Sequence, residues 1–165
     1  MRRLLLILLM LGSLAAARAA DAPVGHVVKV LPLFLDLQGH DAISPSLYDR
    51  DAYQVFLREH TNQVSAIRFD VLWRVTDGRD AMRRATETGE SKLKLRLELR
   101  GVGPDNLPRL TTLEQNVAPH FLRQWTSFPL AGDAYKKFGA VVAWRATLWA
   151  DGKMLDEQES FLWRT

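Results

Sequence analysis

Cysteine is absent from the 165 residues. That excludes a disulfide framework, a thiolate metal site, a cysteine nucleophile and the lipidated cysteine of bacterial anchors. Familiar catalytic signatures are missing too. There is no G-x-S-x-G, no glycine-rich phosphate loop and no H-E-x-x-H. The four histidines, His26, His40, His60 and His120, share no metal-ligand spacing. One S-x-x-K match, Ser91 to Lys94, falls where the chain alternates like a strand. A strand sends i and i+3 to opposite faces and parts the nucleophile from its base. Asp49-Arg50-Asp51 and Asp77-Gly78-Arg79-Asp80 do not continue into calcium-loop spacing; they read as a helix start and a turn. No metal and no cofactor is expected.

Long apolar runs are confined to the N-terminus. Arg2 and Arg3 precede the uninterrupted run Leu4–Leu11, which tapers through Gly12, Ser13 and Ala15 to Ala17. Ala17-Arg18-Ala19 reads as a small-x-small cleavage site, so residues 1–19 have the three-part pattern of a secretory signal peptide. The run from Leu4 to Ala17 is shorter than the roughly 18 residues of a membrane span. Removing Arg2, Arg3 and Arg18 with the leader takes the 22 basic residues to 19, equal to the 19 acidic ones. A balanced mature chain gives no reason to expect a nucleic-acid partner. Residues 20–165 are expected to form one domain, with no transmembrane segment after cleavage and a periplasmic or secreted location.

What is abundant is period-two alternation. Ile67, Phe69, Val71, Trp73 and Val75 are apolar, with Arg68, Asp70 and Arg74 between them. Leu93, Leu95, Leu97 and Leu99 alternate with Lys92, Lys94, Arg96, Glu98 and Arg100. Alternation of this kind makes strands with one dry and one wet face. Val141–Trp149 is a third such segment, dry on Val142, Trp144, Ala146 and Leu148. Val27–Leu37 carries Pro32, which lacks a ladder donor, so the strand lies at an edge or bends at Pro32. Leu110–Val117, Phe121–Leu130 and Leu155–Trp163 complete about seven strands. One helix starts at the N-cap Ser46 and presents Tyr48, Ala52 and Phe56, with Tyr53 and Leu57, as an apolar stripe. A single further turn spans Asp133 to Phe138 and ends at Gly139.

Strands with one dry face and no βαβ rhythm predict an antiparallel β-sandwich with one inserted helix. The closing hairpin around Asp151-Gly152 resembles the last two strands of an immunoglobulin-like or fibronectin-type-III sandwich. That likeness implies architecture alone. For this hairpin a three-residue loop, pairing Arg145 with Glu157, is expected because it keeps Glu157 and Glu159 off the dry face.

The candidate binding residues are Lys92, Lys94, Arg96 and Arg100 on one wet face, with Arg145 and Trp149 of the neighbouring strand. A row of cations suits an anionic glycan, and an exposed tryptophan suits a sugar ring or a protein. Against this, Glu98, Glu157 and Glu159 dilute the field, and Trp149 is also suited to packing under the inserted helix. The chain thus reads as an exported, non-enzymatic binding or assembly module of the cell envelope, its partner an envelope protein or an anionic glycan. The polar loops Asp77–Ser91 and Gly101–Pro108, or a free strand edge, are its expected contacts. The alternative is an envelope hydrolase or a small-ligand or glycan-binding protein with a site between the inserted helix and a sheet.

Overall fold

The computed structural model describes residues 25–75, 93–120 and 122–164. The leader, Ser91 and Lys92 of the basic segment, and the Asp77–Ser91 loop lie outside the described residues. The order of elements is β1 (Gly25–Asp36), α1 (Leu47–Glu59), β2 (Val64–Val75), β3 (Leu93–Val102), β4 (Pro108–Val117), β5 (Gln124–Ala131), α2 (Gly132–Phe138), β6 (Ala140–Ala150) and β7 (Lys153–Glu159). The strands form two antiparallel sheets, β1-β2-β5 and β4-β3-β6-β7. Among the described residues no helix is long and apolar enough to cross a membrane.

The alternation does what it implies. Ile67, Phe69, Val71, Trp73 and Val75 of β2 meet Leu93, Leu95, Leu97 and Leu99 of β3 in one core, joined by Phe128, Leu130, Ala146 and Leu148. Burying each leucine contributes about 1.5–3 kcal/mol. The indole N–H of Trp73 donates to Thr126 Oγ1 at 2.9 Å, so the one polar group of this buried ring is satisfied.

Where the pattern breaks, a bulge or a turn explains it. Val142 is not on the dry face. Gly101 pairs with Val141 and Arg100 with Ala143, so Val142 is an extra residue and stands 48% exposed. The β6–β7 turn has two residues, not three. Asp151 (φ 51°) and Gly152 (φ 77°) both take the left-handed region that a tight hairpin turn needs, and Ala150 pairs with Lys153. A bulge at Leu155 then shifts the register, setting Arg145 opposite Glu159 and Thr147 opposite Glu157. The carboxylates leave the core by this bulge, and the expected loop is not used. The last strand also stops early: β7 ends at Glu159, and Phe161–Trp163 is a 3-10 turn.

Helix α1 starts where expected, its N-cap Ser46 Oγ accepting Asp49 N–H at 3.4 Å. Its buried side is Gln54 and Leu57, whereas Tyr48 and Ala52 face solvent. The cause is a polar contact that outranks the apolar stripe. Phe34 of the edge strand β1 donates its N–H to Gln54 Oε1 at 2.8 Å, and Gln54 Nε2 donates to the Phe34 carbonyl at 2.9 Å. The amide thus pairs with β1 as another strand would. The same Nε2 donates to the Asp41 carbonyl at 2.9 Å. At the other end of this edge, Val27 N–H donates to Asp156 Oδ2 of β7 at 2.9 Å. Pro32, between them, has no N–H to offer.

Beside this edge, Asp36 is buried and accepts from Gln38 N–H, His40 N–H and Tyr53 O–H, each at 2.8 Å. Burial pushes its carboxyl up, but the backbone donor of His40, with the hydroxyl of Tyr53 and the amide of Gln38, holds it below the usual carboxylate range. The same contact pushes the Tyr53 hydroxyl up.

Two outcomes are expected. Replacing Gln54 by Leu strands both Phe34 groups, lowers stability by about 1–3 kcal/mol in urea denaturation, and makes the protein self-associate in light scattering. Asp36→Ala also lowers stability at neutral pH. Because the folded-state value is depressed, the wild-type advantage is complete above the ordinary aspartate range and is lost as pH falls below about 4. Urea midpoints of wild type and Asp36→Ala therefore converge in acid.

Candidate functional site

The outer face of the four-stranded sheet brings the candidate residues together, apart from Lys92. Lys94 stands opposite Trp149, Arg96 opposite Thr147, and Glu98 opposite Arg145. The cations are already paired within the protein. Lys94 Nζ lies 2.9 Å and Arg96 Nε 2.6 Å from Glu114 of β4. Arg145 lies 2.7 Å from Glu98 and 4.0 Å from Glu157. The two cations hold the exposed Glu114 carboxyl below its usual range.

Arg100 has a different partner. Its guanidinium centre lies 4.1 Å from the ring centroid of Trp163, and its Nη1 donates to the Trp163 carbonyl at 2.9 Å. Arg145 covers the same ring at 5.0 Å. Trp149 lies under Arg96, also at 5.0 Å, and donates its indole N–H to Thr147 Oγ1 at 2.8 Å. Neither tryptophan packs under α1, which lies against β1 of the other sheet. The row read as a binding stripe is therefore a ladder of ion pairs and covered rings. Its indoles are occupied by the protein's own guanidinium groups.

A second feature was not singled out in the sequence. A groove of about 730 Å³ opens between the start of β4 and α2. Pro104, Leu110, Ala134 and Phe138 supply apolar surface. Asp105, Arg109, Asp133, Lys136 and Lys137 supply charge. Asp105 and Arg109 pair with each other. Phe138 reaches from the groove into the core. The local sequence makes this geometry. Gly139 takes φ 79°, and a side chain there would strike the Val102 carbonyl, so only glycine lets α2 lie so close to the end of β3. The readable signal was the Lys136-Lys137 pair at the end of a short helix beside a Gly/Pro loop. The space between α1 and β1 is filled by Leu57 and Gln54, so the groove lies away from where an alternative site was expected.

Beside this groove runs the β4 edge. Gly103 N–H donates to the Leu107 carbonyl at 2.8 Å, which fixes the alternation of the β3–β4 ladder. By that alternation Leu110, Thr112, Glu114 and Asn116 turn their backbone N–H and C=O groups away from β3. Among the described residues no other element packs extensively on that side. Leu110 is 70% exposed there. Among the described residues no group of three histidine or carboxylate side chains stands close enough to hold a metal ion. His26 sits 3.7 Å from Asp156, His40 sits 3.6 Å from Asp36, and His60 stacks on Phe56.

No protein-family model and no curated protein sequence matches the chain. A crystal structure from Akkermansia muciniphila is similar at 12% identity and a TM-score of 0.49, covering 84% of this chain and 70% of that one. A likeness of that size assigns no role.

Glu114→Gln is the informative variant for the outer face. The wild type is expected to leave a heparin column at low salt, because its cations are already neutralised. The variant, with Lys94 and Arg96 released, is expected to need more salt. Equal elution would mean that Glu114 does not quench the row.

Proposed function

We propose that the chain is an exported, non-catalytic binding or assembly module of the cell envelope, periplasmic or secreted, that holds a partner protein along the β4 edge. One contrast carries the reading. The β1 edge is sealed by Gln54, Asp156 and Pro32, whereas beyond Pro108 the ladder groups of Leu110, Thr112, Glu114 and Asn116 of β4 have no partner strand among the described residues. Proteins close edges they cannot leave open, and the outward ladder groups of these four residues are suited to strand addition. The leader Met1–Ala19 supports export.

The fibronectin-type-III variant of the sandwich has support in the strand order. In immunoglobulin constant domains the fourth strand joins the first, second and fifth; here the fourth pairs with the third. That switch puts β4 at the rim of the larger sheet. A second reading, a small-ligand or glycan-binding protein, has the 730 Å³ groove in its favour. The neutralised outer row weighs against a polyanionic ligand.

Affinity capture from the protein's own envelope tests the first reading. Thr112→Pro removes an outward N–H and leaves the ladder to β3 intact. The wild type is expected to accumulate outside the cytoplasm without residues 1–19 and to recover a defined protein at least tenfold better than a folded Thr112→Pro variant. Recovery of a glycan alone, equal recovery by both proteins, or retention in the cytoplasm with the leader attached would overturn it.

A further inference from the structure

We infer that the segment added to β4 is an extended peptide whose side chains on the groove side include aspartate or glutamate. The inference deepens the assembly reading and rests on it.

Geometry sets the arrangement. In β4, Arg109, Thr111 and Leu113 pair with Gly101, Leu99 and Leu97, whose row faces the other sheet. Leu110, Thr112 and Glu114 belong to the solvent row. A strand laid along β4 continues both rows, because residues directly opposite share a face. Alternate side chains of the newcomer therefore turn toward α2 and enter the groove, while the others lie beside Leu110 and Thr112.

Charge then selects the chemistry. Asp105 and Arg109 neutralise each other. Asp133 sits in the first turn of α2, where the helix end favours a negative charge. Lys136 and Lys137 stand in its last turn, line the groove, and have no ion pair within the described residues. With Asp133 three and four positions before them on the same helix, they leave this wall a surplus of positive charge. On the outer face the protein matches its cations within the chain: Lys94 and Arg96 to Glu114, and Arg145 to Glu98. A carboxylate on the incoming strand completes here what the chain completes for itself on the outer face. Ala134, Phe138 and Pro104 add apolar surface beside that pairing.

Selection from a display library of random linear decapeptides on the purified protein tests this. The expected pool is enriched in Asp or Glu at every second position. Its members are expected to lose at least tenfold in affinity to the double variant Lys136→Glu/Lys137→Glu, and to lose binding to Thr112→Pro. Amide chemical shifts are expected to move in residues 104–116 and 132–139. Binders that are stopped by Thr112→Pro but carry no acidic bias, or bind the charge-reversed protein equally, would overturn the acidic chemistry and leave strand addition standing. Binders unaffected by Thr112→Pro, or no binders at all, would overturn both. Circular dichroism of each variant separates these outcomes from loss of fold, and Lys136→Gln/Lys137→Gln, which keeps side-chain length, serves if charge reversal unfolds α2.

Discussion

Strand β3 carries the constraint from which the rest follows. It is hydrogen-bonded on both sides, and every second residue from Leu93 to Leu99 is a buried leucine. A one-residue slip against β6 would turn all four leucines to solvent and bring Lys94, Arg96 and Glu98 into the core. Burying those charges would cost far more than any local gain. The register is therefore over-determined, and it sets the outer face as firmly as the inner one. The ion-pair ladder of Glu114, Arg96, Glu98 and Arg145 exists because the leucines have nowhere else to go.

The two sheets differ in how they treat their rims. On the β1 side the chain spends buried polar groups: a glutamine amide acting as a surrogate strand and an aspartate reaching across from β7. Such groups must be satisfied in full or they destabilise. Gln54 uses both amide atoms, and Asp36 receives three donors. On the β4 side the described residues show one such device, Pro108 at the start of the strand, and beyond it only the groove and its lysines. This asymmetry within one small domain is what gives the β4 rim its functional reading.

Much of the fold was legible because it rests on alternation, which is local. The leucines of β3, the Ser46 cap, the edge position of Pro32 and the turn ending at Gly139 could each be read from a few neighbouring residues. The misreadings arose where distant residues decide. Val142 leaves the dry face only because Gly101, on another strand, forces a bulge. The hairpin keeps its two-residue turn because Leu155 supplies the shift further on. Helix α1 faces the sheet with Gln54 because Phe34 needs a partner twenty positions away, which no helical stripe reveals. The candidate site divides in the same way. Lys94, Arg96, Arg100 and Arg145 were legible as one outer face, yet their partners Glu114 and Trp163 come from remote parts of the chain and no local pattern shows them. The groove escaped notice because it joins a loop, a strand start and a short helix with no shared sequence signature.

The seam between Val27 and Asp156 joins groups 129 positions apart. A polypeptide emerges from the ribosome N-terminus first, so β1 is made early and waits for β7 until synthesis is nearly complete. Closing so large a loop is entropically slow. Until β7 arrives the Val27 N–H lacks this acceptor, and the seam can close only once nearly the whole chain has been made.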